Sequence, residues 1–411
     1  MGLAKLAKLA FNGADLNPIW QQLIGRFATS EADVTTLLDM CSALMDMCLI
    51  DQFLNNTERG MALQAQALES CRLYQAPAGK SPARLKVLGF ATAGIINTNT
   101  PIEFLIEDSA ITLYLLYLVP GKPLPPIPEH DIAIVLIAES DKALPLLREL
   151  ECLVADWPRP VLNPPALIPQ VGRERLHKVL ASIAGIDIPA TICVDRTTLA
   201  SVGSEEIAIE SLLPDGGFPL IVRPVGSHAG QGLEKIDHVA GISAYLSAQA
   251  AETFYLSRFV DYRGADGLYR KYRIAVIDGE AFPCHMAVSS RWMVHYLNAG
   301  MLESAEKRAE EERFMNRFHE EFKRRHGQAI AAMADATALD YFGIDCGETP
   351  DGKLLVFEAS TALVVHNMDD PNIFPYKVPH MHAVFEAFQA FLYRRSKTAG
   401  ACPARRPAFP G

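Results

Sequence analysis

Up to about residue 76 the apolar positions recur every three or four residues, the spacing that gathers them on one helix face. In TSEADVTTLLDMCSALMDMCLIDQFLNN (29–56) this period runs for several turns, with Thr29 or Ser30 as the N-cap. The stretch ERGMALQAQALESCRLYQ (58–75) continues it. The pattern predicts two or three helices folded as a hairpin, a tetratricopeptide-like helical segment over 1–76. A single such unit cannot form a solenoid. These helices are therefore expected to dock on the rest of the chain, or on a second copy to give a homodimer. APAGKSPA (76–83) reads as a linker.

Beyond Arg84 the pattern changes to short apolar runs separated by turns. RLKVLGFAT, ITLYLLYLV, IAIVLIAES and PVLN read as strands, with a helix in DKALPLLRELECLVADW. That order predicts an α/β class and a small doubly wound domain over 84–165. A further domain is expected over 166–395. Within it RERLHKVLASIAGIDIPATICVD reads helix, glycine turn, strand, and FPLIVRPVGSHAGQGLEKI reads strand, glycine-rich loop, strand. YRKYRIAVIDGEAFPCHMAVSS is a hairpin turning at Asp278-Gly279. Residues 302–326 predict one charged helix with a solvated face. The tail at 396–411 is expected to be disordered.

The stretch 339–360, LDYFGIDCGETPDGKLLVFEAS, carries the sharpest chemistry. It reads as two apolar strands joined at Asp351-Gly352. A two-residue loop pairs Pro350 with Lys353, and counting outward sets Asp345 opposite Glu358. Facing like charges destabilise a strand pair, and unpaired carboxylates in an apolar run are costly. A divalent cation removes both problems, and hard oxygen ligands suit magnesium. Ser360 projects from the same face as Glu358. Upstream, the loop PVGSHAGQG (224–232) follows Arg223. Its glycines at 226, 230 and 232 allow backbone N–H groups close to phosphate oxygens. It is neither a Walker loop nor a dinucleotide fingerprint, because it leads into a strand.

Composition narrows the class. The chain has 411 residues, enough for two or three domains. It is 49% hydrophobic and 21% charged, the balance of a soluble globular protein. A formal charge of −10 without a basic block excludes a nucleic-acid partner. Eight scattered cysteines, without a CxxC pair or zinc spacing, read as reduced thiols of a cytoplasmic protein. No run of ~18 apolar residues predicts a membrane span. The N-terminus reads as an amphipathic helix rather than a signal peptide, and Leu6 breaks a myristoylation motif.

In their order, RER (173–175) before IDIPAT, FPLIVRPVGSHAGQGL, YRKYRIAVIDG and GIDC…LLVFEAS resemble the ATP-grasp superfamily over about 84–395. The branch most similar is that of glutathione synthetase and ribosomal-protein glutamate ligases, in proteins with N-terminal tetratricopeptide-like helices. The resemblance implies ATP held between two α+β subdomains, with Mg2+ bridging its phosphates. It implies activation of a small-molecule or peptide carboxylate as an acyl phosphate, attack by an amine or thiol, and release of ADP and phosphate. By the same resemblance Arg223 contacts phosphate and the adenine edge, and Arg173 or Arg175 replaces an earlier phosphate-contacting lysine. Ser227, His228, Gly230 and Gly232 form the phosphate loop, and the backbone at Phe259 and Val260 reads adenine. Arg273 stabilises the transferring phosphoryl group, and Asp345, Glu358 and Ser360 hold metal. Ser360 stands where the family has asparagine, a departure that weakens a second metal position.

The substrate side is assigned to 285–301, with His285, Ser289, Arg291, Trp292, His295 and Tyr296, joined by His366. A zinc site from these histidines is not supported by their spacing. Asn97, Asn99 and Glu103 are further candidates, at the carboxyl end of a first strand. Three activities are compatible with these residues: an ADP-forming ligase, an ATP-dependent kinase of a small molecule, and an ATP-binding interaction protein without turnover.

Overall fold

The computed structural model describes residues 1–25, 34–213, 215–227 and 230–398. The expected caps Thr29 and Ser30, His228 of the glycine loop, and residues 399–411 of the tail lie outside them. Helices α1 (Leu3–Phe11), α2 (Asn17–Gly25), α3 (Val34–Phe53) and α4 (Thr57–Ser70) open the chain. Leu6, Leu16, Leu23, Met47 and Ile50 form their shared core. α3 and α4 lie side by side, close enough that a Cβ on Gly60 would stand 2.9 Å from the Cys48 carbonyl oxygen. Leu3 and Ala7 of α1 pack on Phe104, with Val364 and Met368 alongside. The helical segment is thus fixed to the rest of the chain.

The helical period overruns its helix. α4 stops at Ser70, and β1 (Leu73–Ala76) is an edge strand where the sequence predicts helix. Leu73 and Tyr74 pair antiparallel with Leu116 and Leu115, a partnership that lies outside any local window. β2 (Leu85–Thr92), α5 (Ile102–Leu105), β3 (Ile111–Leu118), β4 (Ile132–Val135), α6 (Leu144–Val154) and β5 (Val161–Leu162) follow. The sheet order is β1-β3-β2-β4-β5, and all but β1 are parallel.

Next come α7 (Arg173–Leu180), β6 (Ile186–Asp187), β7 (Thr191–Asp195), α8 (Arg196–Gly203), β8 (Leu220–Pro224), β9 (Glu234–Ile236), α9 (Gly241–Ala248) and β10 (Thr253–Arg258). β7-β10-β8-β9 make an antiparallel sheet, with Leu199, Val202, Ile242 and Tyr245 of α8 and α9 in its core. The stretch IDIPATICVD, which reads as one strand, is divided between two sheets. Ile186 and Asp187 join β14, described next, while Thr191–Asp195 join β10. Arg258 ties this crossing together, binding Asp187 at 2.7 Å and Asp215 at 3.0 Å.

The remaining elements are β11 (Tyr269–Ile277), β12 (Glu280–Ser289), α10 (Ala305–Asn316), α11 (Phe322–Thr337), β13 (Tyr341–Glu348), β14 (Leu354–Ser360) and α12 (Lys377–Ser396). They form a sheet in the order β12-β11-β13-β14-β6. α12 lies between this sheet and the first one: Val384, Phe388 and Phe391 share a core with Ile134, Ala275 and Tyr341. The architecture has the expected parts, namely helices, a mainly parallel sheet, and two further sheets of mixed α+β character.

The charged segment 302–326 departs from its expectation twice. It is two helices, broken between Asn316 and Phe322, where Phe318 and Phe322 are buried and stack at 5.5 Å. Its face is also not wholly solvated, since Glu311 has no exposed surface. Among the described residues no helix is long and apolar enough to cross a membrane.

Gly60→Ala is expected to lower stability by about 1–3 kcal/mol, since the added methyl meets backbone that cannot yield as a side chain would. Urea unfolding followed by circular dichroism measures this loss.

Candidate functional site

Two hairpins set the site. At Asp278-Gly279 the loop has two residues with φ of 52° and 84°, and Ile277 pairs with Glu280, as the dipeptide requires. The second hairpin is less simple. Thr349 donates its N–H to the Lys353 carbonyl (3.0 Å), so the loop has three residues, Pro350 to Gly352, with Gly352 at φ 82°. Pairing then runs Glu348 to Leu354 and Cys346 to Val356, one residue off the expected register. A bulge at Phe357 restores it, and Asp345 does face Glu358.

The register extends across four strands. His285 on β12 pairs with Arg273 on β11, Arg273 with Asp345 on β13, and Asp345 with Glu358 on β14. Directly paired residues share a sheet face, so these four side chains form one transverse row. Arg273 grips Asp345 with two bonds, Nε to Oδ1 (2.8 Å) and Nη2 to Oδ2 (2.9 Å). Lys271 adds Nζ to Oδ2 at 2.7 Å. Burial would raise the Asp345 carboxyl, but the Arg273 and Lys271 charges outweigh it and hold it below the usual carboxylate range. The facing carboxylates are therefore balanced by cations: Glu358 Oε2 accepts from Arg173 Nη2 at 2.9 Å. Ser360 Oγ accepts the Ala362 N–H at 3.0 Å.

These donors fit magnesium in one particular way. Among the described residues no group of three or more His, Cys, Asp or Glu is placed to hold an ion. An ion held wholly by protein is therefore not built here. Two carboxylates on one face suit an ion completed by water and phosphate oxygens, the usual manner for magnesium. A carboxylate offers about four lone-pair positions, and Asp345 uses three of them on nitrogen donors.

The residues expected to contact phosphate come from the second sheet and from α7. Arg223, on β8, bonds the backbone and side-chain oxygens of Ser227, with Nε to Oγ at 3.3 Å. Burial, reinforced by the nearby Arg173 charge, pulls its guanidinium down to about 10. Of the two arginines on α7, Arg173 meets the row, while Arg175 bonds the Pro169 carbonyl at 3.4 Å. Gly230 and Gly232 have φ of 77° and 64°, a region that disfavours side chains. The Phe259 N–H bonds the Pro219 carbonyl (2.8 Å), and its ring carries Lys235 Nζ at 4.6 Å from the centroid. Val260 packs against the main core. Trp292 stands edge-on to Phe259 at 5.8 Å, on this side of the fold. Arg291 is exposed, its N–H on Ser289 Oγ (3.0 Å).

His285, His295, Tyr296 and His366 do come together. With Arg273 and Lys271 they line a cavity of about 200 Å³. Nδ1 of His285 and of His295 are buried with no hydrogen-bond partner among the described residues. Burial and the neighbouring Arg273 and Lys271 charges lower both imidazoles, with Lys377 adding to the effect on His285, and this favours the neutral form. Asn99 lies elsewhere. Its amide is taken up by Thr92, accepting the N–H (2.9 Å) and donating to the carbonyl (2.8 Å). With Glu103 it borders a smaller cavity of about 70 Å³ under the N-terminal helices. Burial pushes the Glu103 carboxyl up to about 7. Asn97 sits in the turn Ile96–Thr98.

Several groups of the site were not anticipated. Lys271 was legible in principle, two residues before Arg273 on the same strand face. Glu139, raised by burial and the charge of Asp141, lies near Arg173 and Glu358. Glu311 accepts from Met286 N–H (2.9 Å), Tyr296 OH (3.0 Å) and Tyr376 OH (2.7 Å), and pairs with Lys377 at 3.3 Å. Lys377, 2% exposed, also binds Asp369 at 3.1 Å and the Tyr296 hydroxyl. No residue pattern near Lys377 marks it as part of a site.

No protein-family profile and no curated protein sequence matches the chain. Solved structures do. VanG D-Ala:D-Ser ligase from Enterococcus faecalis aligns at 14% identity and TM-score 0.46, covering 75% of this chain and 99% of its own. D-alanine–D-alanine ligase from Bacillus anthracis, complexed with ATP, aligns at 14% and 0.45, covering 77% and 100%. A RimK domain ATP-grasp protein from Sphaerobacter thermophilus aligns at 15% and 0.42, covering 75% and 99%.

Burial lowers His366 to about 4, against about 6.5 in an unfolded chain. Between those values the unfolded state holds more protons, so its contribution is complete above about 6.5 and is lost as pH falls. From pH 7.5 to pH 5 the native protein is expected to lose roughly 2 kcal/mol more than His366→Gln. Urea denaturation of both proteins at each pH measures the difference.

Proposed function

We propose that the chain is an ATP- and magnesium-dependent, ADP-forming ligase that joins a carboxylate to an amine or thiol through an acyl phosphate. The observation that carries this reading is the transverse row His285–Arg273–Asp345–Glu358, flanked by Arg173 and Arg223. The ordered sequence motifs that resemble the ATP-grasp superfamily support it as well.

Each residue then has a task. Arg223, Arg173 and the backbone of the loop at Gly230 and Gly232 supply positive charge and N–H donors to phosphate oxygens. Phe259, Val260 and Trp292 form the apolar side on which a base rests. Asp345 and Glu358, with Ser360 adjoining, would hold magnesium, which would supply charge neutralisation at the transferred phosphoryl group. Arg273, anchored by Asp345, presents a fixed cation between the phosphate side and the cavity. Its task is to stabilise charge developing during transfer, which is electrostatic rather than covalent. The Asp345 anchor also removes the freedom that a lone arginine would lose on binding. The pairing of Arg173 with Glu358 keeps the row neutral before nucleotide enters.

Release of ADP and phosphate, followed over a panel of carboxylates and amines with ATP and magnesium, tests the reading. Glu358→Gln is expected to lower magnesium-dependent turnover by at least 100-fold with an unchanged melting temperature. Arg273→Lys should lower turnover at least tenfold while ATP affinity changes little. The lysine variant is the informative one, because Arg273→Ala strips a buried carboxylate of its main partner and endangers folding. Full activity of Glu358→Gln would sink the metal assignment. Transfer of phosphate onto a hydroxyl substrate would identify a kinase, and ATP binding without turnover a binding protein.

A further inference from the structure

The two carboxylates of the transverse row differ in what holds them. Asp345 is 4% exposed, and both of its oxygens are taken by Arg273 and Lys271 from the neighbouring strand. Glu358 is gripped from outside its sheet. Its Oε2 accepts from Arg173 Nη2 at 2.9 Å, and Arg173 is the first residue of α7, 185 positions away in the chain. The Arg173 and Glu358 side chains keep 29% and 38% of their surface exposed.

From this contrast we propose that the Arg173–Glu358 pair is a latch. Arg173 shuts the metal position at Glu358 until the phosphates of a nucleotide draw it away, so the ion is admitted only with or after the nucleotide. The proposal rests on the ligase reading and adds to it the order in which the site is filled.

A cation at Glu358 must share the carboxylate with the Arg173 guanidinium or displace it. Sharing sets a dication beside a permanent positive charge, which is repulsive at this range. Asp345 offers no alternative, because a buried carboxylate cannot give up its arginine without heavy loss. Glu358 can. A partly exposed ion pair contributes little net stability, so the contact opens once Arg173 finds a better anion. Arg223 marks the place for that anion. It lies close enough to Arg173 for the two like charges to disfavour each other, and Glu358 offsets part of that repulsion. A phosphate group entering there replaces Glu358 as the counter-ion, since it carries more charge and accepts from both arginines. Glu358 is then free to accept a dication. Arg175 takes no part: it is exposed and bonds the Pro169 carbonyl.

The test counts protein-bound Mn2+, a paramagnetic stand-in for magnesium, by water proton relaxation. Wild type is compared with Arg173→Gln, Arg175→Gln and the double variant Arg173→Gln/Glu358→Gln, each without nucleotide and with ADP. Without nucleotide, Arg173→Gln is expected to bind Mn2+ at least fivefold more tightly than wild type. Arg175→Gln removes the same charge from the same helix and should stay within twofold of wild type. The double variant should lose the gain, which assigns it to Glu358. With ADP, wild type should bind Mn2+ at least fivefold more tightly than without it. Both arginines are partly exposed, so the variants should melt as wild type does, which a thermal scan verifies. Equal Mn2+ affinity of Arg173→Gln and wild type without nucleotide overturns the latch, as does an equal gain in Arg175→Gln. The wild-type comparison needs no variant, and absence of any gain with ADP overturns the latch as well. Each of these results leaves the ligase reading standing when calorimetry shows that wild type binds ADP. Failure of wild type to bind ADP or ATP at any Mn2+ concentration overturns both.

Discussion

The bidentate contact between Arg273 and Asp345 is the constraint on which the site depends. Asp345 is almost wholly removed from solvent, and a buried carboxylate without partners costs several kcal/mol even after relaxation. It must therefore keep Arg273 and Lys271, and those two must stay on the strand beside it. That requirement fixes the register of β11 against β13. Once it is fixed, the pleat aligns His285 on one side and Glu358 on the other along the same face. A one-residue slip in any of the three pairings would send part of the row to the opposite face. The row is thus set by a charge balance as much as by the apolar strands that bear it.

How much of this could be read from sequence depends on the range of the interaction. Asp278-Gly279 closes the hairpin it signals, because two residues with positive φ decide that loop locally. Asp351-Gly352 misleads by one, because Thr349 binds Asp351 and Lys353 and turns the loop into one of three residues. The bulge at Phe357 compensates, since its ring packs against Tyr262 at 5.0 Å and occupies a place the sheet leaves for it. The facing of Asp345 and Glu358 was therefore legible, but the loop and bulge that produce it were not. The partner of Glu358 was out of reach. Arg173 lies 185 residues before Glu358, and nothing local distinguishes it from Arg175.

The helical segment 302–326 shows the opposite error. Its charges suggested a solvated face, and most of them are solvated. Glu311 is not, and it gathers Met286, Tyr296, Tyr376 and Lys377 around one carboxylate. Composition cannot reveal which acid of a charged helix turns inward. The choice follows from a sheet edge and an aromatic pair that come from distant parts of the chain. Asn99 errs in the same way: its position at a strand end suggested a ligand contact, while its amide closes its own loop on Thr92.

The Glu311–Lys377 network also explains how the cavity keeps its shape beside so many charges. Lys377 begins α12, Asp369 lies in the connection after β14, Tyr296 follows β12, and Glu311 belongs to α10. One satisfied cluster thus joins four elements at the cavity floor. Removing Glu311 or Lys377 leaves a buried charge short of its main counter-ion, a larger loss than the net value of the bond itself. The floor is consequently rigid, whereas Phe11, which lines the cavity from α1, rests on apolar contacts of that single short helix. The charges of the row stay where the buried pairs hold them.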